Sequence, residues 1–133
     1  MAIGFPKPAR GSRVIARERE TEAALRLEIE QKGTAKKRDG RCRWPEPHKC
    51  RCGLEAAHIQ DASLGGPMDA ANLVTLCAWI HRRGPSSLHG KQLKVECESE
   101  RGAWGPLSFW RKSDDGDWFL VAREIAPFRL EKD

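Results

Sequence analysis

The sequence predicts an α+β domain, and three observations carry that reading. Residues 14 to 32 are good helix formers with neither Pro nor Gly, the pattern of a surface helix. Two short apolar runs, LEAAHI and LVTLC, are separated by a loop rich in Gly, Pro and Asp and followed by AWIHRR, as two strands and a short helix would be. Farther on, QLKVEC alternates in polarity, and LSFWRK and DWFLVARE flank SDDG. That reads as a strand and then a C-terminal β-hairpin with an Asp-Gly turn.

Taken in order, the helix is expected to stop at Gly33, with Leu25 and Ile29 giving it only a narrow apolar face. An Asp39-Gly40 turn and an irregular cysteine-rich stretch lead to Gly53. The AWIHRR helix should end at Gly84-Pro85. Most Trp residues, with Phe109 and Phe119, are read as core fillers. At 133 residues the chain is the size of a single domain: a basic helical arm over 1–37, a core over 38–95 and a β extension over 96–133.

Apolar residues make up only 39% and charged residues 32%, so a thin core calls for an additional staple. Five cysteines, an odd number, in a chain whose MAIGFPKPARGSR start lacks the apolar stretch of an export signal, argue against a disulfide framework and for metal ligation, reactivity or simple burial. With no apolar run of about 18 residues, a cytoplasmic protein without a membrane partner is expected. The net charge is +5, and the basic excess lies before residue 39. Arg10, Arg13, Arg17, Arg19, Lys32, Lys36, Lys37 and Arg38 either attract polyphosphate by counterion release or form a solvated helix face. Glu22 with Arg26 and Glu28 with Lys32, spaced i,i+4, fit the second reading.

Three polar residues stand out by position. His58 closes the first apolar run, Asn72 precedes the second, and His81 lies in the helical segment beyond it. If the runs pair as a hairpin and the helix packs across it, the two histidines converge on one cleft. Each has an ordinary structural reading, as a core histidine or a turn asparagine, but three at this spacing are more specific.

These residues, with RDGRCRWP, LEAAHI, a Gly-Gly pair, NLVTLC and His81, resemble the HNH endonuclease family, and phage or prophage members in particular. The resemblance covers roughly residues 38 to 95. It implies a ββα-metal (His-Me finger) core, to which this chain adds the N-terminal helix and the C-terminal β-hairpin extension. It also implies cleavage of DNA, double-stranded by analogy, with His58 as general base, Asn72 bracing the loop that orients it, and His81 binding a divalent metal, Mg²⁺ or Mn²⁺, with Zn²⁺ or Ni²⁺ as alternatives. The chemistry is coherent: a neutral imidazole activates water, and a cation stabilises the departing oxygen.

The chain departs from the family pattern at Ala57, where many members place a further metal ligand. His89 is the best substitute, with a surface role as the equal alternative, and Asp61 is weaker. The cysteines resemble only part of the family's paired Cys-x-x-Cys zinc site, because Ile80 stands where the second pair would close. A structural Zn²⁺ would be held by Cys42, Cys50 or Cys52, Cys77 and His48; otherwise Cys77 is a buried small hydrophobe. Cys97 is read as packing. Arg82, Arg83, Lys49, Arg51 and Lys91 are candidates for phosphate contacts, against a solvated helix end. Gly65-Gly66-Pro67 is a turn that would also admit a phosphate. The expectation is a metal-dependent HNH endonuclease acting on DNA. Its rivals are an inactive, zinc-stapled nucleic-acid-binding module of the same fold and a protein-interaction module.

Overall fold

The structure, a computed structural model, describes residues 10–51 and 53–131, with side chains from residue 21 onward. It is mixed α and β, with one long helix and two antiparallel sheets. The chain divides into two compact units, residues 1–30 and 31–133. In the first, the described residues are helical, Leu25 and Ile29 are exposed, and Glu22 pairs with Arg26 at 3.6 Å. The side chains of Arg10, Arg13, Arg17 and Arg19 lie outside the described residues. No helix among the described residues is long and apolar enough to cross a membrane.

Helix α1 (Arg10–Asp39) does not stop at Gly33. An interior glycine costs a helix about 1 kcal/mol, and contacts of the final turn outweigh it. Ala35 is buried. Arg38 donates to the carbonyls of Ala70 and Leu73, and Asp39 accepts from the Thr75 amide. Arg38 is therefore a structural residue instead of a free phosphate binder. The stop comes at Gly40, whose φ of 68° suits glycine and whose N–H reaches the Lys36 carbonyl at 2.8 Å.

Strands β1 (Leu54–His58) and β2 (Leu73–Cys77) pair antiparallel, with Leu54 opposite Cys77 and His58 opposite Leu73. All of β2 is buried. Between the strands, Asp61 and Asp69 cap two 3₁₀ turns, Ala62–Leu64 and Ala70–Asn72. The segment after β2 is a single π-helical turn, Trp79–Arg83, not the expected α-helix. Gly84 closes it with a 2.8 Å bond to the Trp79 carbonyl, and Pro85 has no N–H with which to continue. The chain then folds back, Leu88 N–H bonding to Ile80 O and His89 N–H to His81 O.

Strands β3 (Leu93–Cys97), β4 (Leu107–Lys112), β5 (Trp118–Ala126) and β6 (Arg129–Glu131) form a meander in that order. The β4–β5 hairpin lies where the sequence put it, and β6 is an addition. One core joins the two sheets, drawing Trp44, Ala57, Val74, Leu76, Ile80, Val95, Leu107 and Phe109 together; Trp44 meets Phe109 edge to face at 5.5 Å. Phe119 and Cys97, expected to pack, are exposed. Phe119 falls on the outward phase of β5, and Cys97 lies where the edge strand runs out. Beside the core, Arg43 is wholly buried between Asp39 and Glu124, at 3.1 and 2.6 Å.

Candidate metal centre and histidine cleft

The two ends of the β1–β2 hairpin carry different chemistry. At the Leu54–Cys77 end, Cys42, just past α1, meets Cys77, the last residue of β2, and the loop between Trp44 and Gly53 brings His48 and Cys50 over them. The four donor atoms lie within 4.8 Å of one another. His48 Nε2 is 3.5 Å from Cys42 Sγ, 3.3 Å from Cys50 Sγ and 3.6 Å from Cys77 Sγ. Its other nitrogen, Nδ1, is 2.7 Å from the Glu46 carbonyl, which fixes the tautomer that leaves Nε2 as donor atom. Trp44 and Arg111 both donate to Glu46, so the loop is tied to the core and to β4.

This group can hold a metal ion. Of the middle pair, Cys50 belongs to this group among the described residues; Cys52 lies outside them. The electrostatics divide the three thiols. Burial opposes ionisation of Cys77, but the Ile80 and Arg51 amides and His48 outweigh it and bring the thiol down to about 7. Burial pushes Cys42 up to about 12. Burial and the neighbouring Cys77 also raise Cys50. Without a cation the three thiols compete for negative charge, which a bound metal would relieve.

At the other end, His58 is half-buried at the close of β1 and opens into a cleft of about 470 Å³ that His89, Asp61 and Lys91 also line. Asn72 secures the adjoining loop: its side chain accepts from Gln60 N–H at 2.9 Å and donates to the carbonyls of Gln60 and Pro67 at 3.0 and 3.1 Å. Gly66 packs so tightly that an added Cβ would fall 1.8 Å from the Gln60 carbonyl oxygen. The Gly-Gly pair is thus first a turn device.

The fold-back after the π-turn places His89 against His81, ring centroids 4.5 Å apart and edge to face. His81 Nδ1 meets Glu55 Oε1 at 2.8 Å. Arg82 grips the same carboxylate with two donors, at 2.9 and 2.7 Å. Together these hold Glu55 down to about 2: Arg82 has the largest effect, burial opposes it, and His81 adds to the lowering. Burial lowers His81 below its ordinary value, and Glu55 only partly offsets this. Glu55 was not among the residues singled out from sequence. It stands two residues before Ala57, hence on the same face of β1, and a lone charge on that face was the available signal.

The remaining expectations divide. Lys91 lines the cleft, in a left-handed conformation with φ of 62°. Arg82 is committed to Glu55. Arg51 covers the Trp79 ring at 4.8 Å, and Lys49 and Arg83 are exposed; none of these three lines the cleft. Ala57 is fully buried in the core and donates nothing. Comparison with known proteins finds no matching family model, no matching curated protein and no matching solved structure.

Proposed function

We propose that this chain is a metal-dependent endonuclease of the HNH type, built on a ββα-metal core and hydrolysing phosphodiester bonds of DNA. The observation that carries the reading is the His58 cleft: an imidazole at the hairpin end, beside a loop clamped by Asn72, with His89 on the cleft wall and His81 packed against His89. His58 takes the proton from an attacking water as the P–O bond to the leaving oxygen breaks. Asn72 keeps the loop, and so the strand end carrying His58, in place. Glu55 fixes the tautomer of His81 through Nδ1 and leaves Nε2 outward. Lys91 faces the scissile strand.

His81 and His89 would hold the divalent cation, with water supplying the rest of its shell because Ala57 contributes no ligand; their imidazole nitrogens suit Zn²⁺ or Ni²⁺ better than Mg²⁺. Bound there, the cation would supply electrostatic stabilisation of the leaving oxygen. Nicking of supercoiled plasmid, with and without added Mg²⁺, Mn²⁺, Zn²⁺ or Ni²⁺, tests the reading, and the absence of cleavage with every one of these ions sinks it. One observation favours a second reading, a non-catalytic nucleic-acid-binding module: the buried Ala57 in place of a ligand. A gel shift without cleavage would establish it.

For the cysteine group the best-fitting ion is zinc. With Zn–S of about 2.3 Å and Zn–N of about 2.0–2.1 Å at a tetrahedral centre, sulfur and nitrogen stand about 3.5 Å apart, and the observed separations are 3.3 to 3.6 Å. A closed set of three thiolates and one imidazole is structural in character.

A further inference from the structure

The cleft beside His58 is walled on one side by the four-stranded sheet, which contributes Lys94 and Trp118. Across that sheet, cations and rings alternate. The register sets Lys94 opposite Trp110 and Lys112 opposite Trp118. The Lys94 ammonium sits 5.2 Å from the Trp110 ring centre and 4.7 Å from that of Trp118. Lys112 reaches Trp118 at 5.6 Å. The rings are only half-buried. Five acidic groups also stand nearby: Glu96, 3.7 Å from Lys94, Asp61 in the cleft, and Asp114, Asp115 and Asp117 in the turn that bounds the far end; any ligand of this face is therefore held by the rings more than by net charge.

We propose that Lys94, Trp110, Lys112 and Trp118 form a track for an unpaired DNA strand leading into the His58 cleft. Duplex DNA keeps its base faces stacked on one another and presents only edges and phosphates, so indole rings gain little from it. An unpaired strand offers one π-face per nucleotide and one phosphate beside each, the alternation that this face carries. A base arriving on Trp118 displaces a lysine ammonium from the ring. Base stacking exceeds an exposed cation–π contact, and the four-carbon stem lets the ammonium swing to the adjacent phosphate. The substrate class that follows is DNA with a single-stranded segment: a flap, gap, overhang or junction.

The inference rests on the endonuclease reading for its scissile phosphate, but its test does not. Binding is measured by fluorescence anisotropy on the full chain with its cysteine site intact and no Mg²⁺ or Mn²⁺ added. The probes are a labelled oligothymidylate of about 12 nucleotides and a duplex hairpin carrying equal charge. Trp118→Ala should weaken oligothymidylate binding at least about fivefold and leave the duplex unchanged, and Trp118→Phe should restore most of the loss. Lys94→Gln and Lys112→Gln, surface changes that spare the core, should each lower the salt slope for the single strand by about 0.7. The proposal is overturned if the intact protein does not bind the single strand, if Trp118→Ala weakens both probes equally, if neither lysine change moves the slope, or if a polyglutamate peptide displaces the strand as well as unlabelled oligothymidylate does. Plasmid nicking by the intact protein, with the divalent ions named above, keeps the two readings apart: nicking without single-strand binding overturns the track alone, and single-strand binding without nicking overturns the nuclease alone.

Discussion

One hairpin carries both sites, and its two ends are finished to different degrees. At the Leu54–Cys77 end, four donors from separate stretches of chain stand within 4.8 Å of each other, with the imidazole tautomer already set by a carbonyl. At the His58–Leu73 end, His58 and His89 line an open cleft, and His81, bonded to Glu55 on β1, touches His89. Soft donors gathered into a closed shell serve stability; spaced imidazoles beside open volume leave room for a substrate to complete the site. On the proposed reading the difference separates staple from chemistry, and it can be broken experimentally one end at a time.

The largest effect belongs to the cysteine end. Structural zinc sites contribute on the order of 10 kcal/mol to folding, so stripping the metal, or introducing Cys42→Ser or Cys77→Ser, should abolish the cooperative thermal transition. Elemental analysis should find one equivalent of zinc in the intact protein. Retention of the full melting temperature after complete removal would erase the contrast between the ends.

Next is Arg43, adjacent to Cys42 and wholly buried between two carboxylates. Arg43→Met leaves Glu124 without its buried counter-charge, while Asp39 keeps Arg38 at 2.7 Å, and should cost about 3–5 kcal/mol, read by urea unfolding. A loss below about 1 kcal/mol would mean Glu124 finds another partner.

At the cleft end, His58→Ala should slow plasmid nicking by roughly 10²- to 10⁴-fold while zinc content and melting temperature stay unchanged. That independence is the sharpest form of the comparison. If His58→Ala also released zinc, the ends would be one cooperative site.

The smallest effect is a pH dependence at Glu55 and His81. Both are held below their ordinary values, so the folded state binds fewer protons than the unfolded one, and stability falls as pH drops. The His81 part is lost on descending below 6.5, and the Glu55 part between 4.5 and about 2. Glu55→Gln should flatten the acid limb of melting temperature against pH. Parallel curves for the two proteins would show that the ion pair with Arg82 adds nothing.

The regular elements were legible because their periods were: alternation marked β3, β4 and β5, and two apolar runs marked the hairpin. What escaped was decided by contacts distant in sequence. Gly33 reads as a stop, yet docking of Ala35, Arg38 and Asp39 carries the helix past it. AWIHRR has helical composition, but Gly84 and Pro85 leave space for only one wide turn. Strand β6 is three residues long and exists through its pairing with β5. In the sites, cysteine and histidine were visible by type, whereas choosing His48 and Cys50 as donors required the loop's path, and Glu55 emerged only once β1 had a known inward face.

Glu124 is a single carboxylate that accepts from Arg43, from the Leu107 amide at the start of β4 and from the Phe128 amide between β5 and β6. It therefore acts as a fastener between the segment bearing the first cysteine and the last third of the chain. A fragment cut to residues 38–95 would lose that fastener, leaving Arg43 and Asp39 to face one another across a half-open core. The C-terminal sheet is in that sense not a detachable module: domain trimming, fusion or exchange that keeps residues 38–95 alone should yield insoluble protein, and any working minimal fragment must run at least through Phe128.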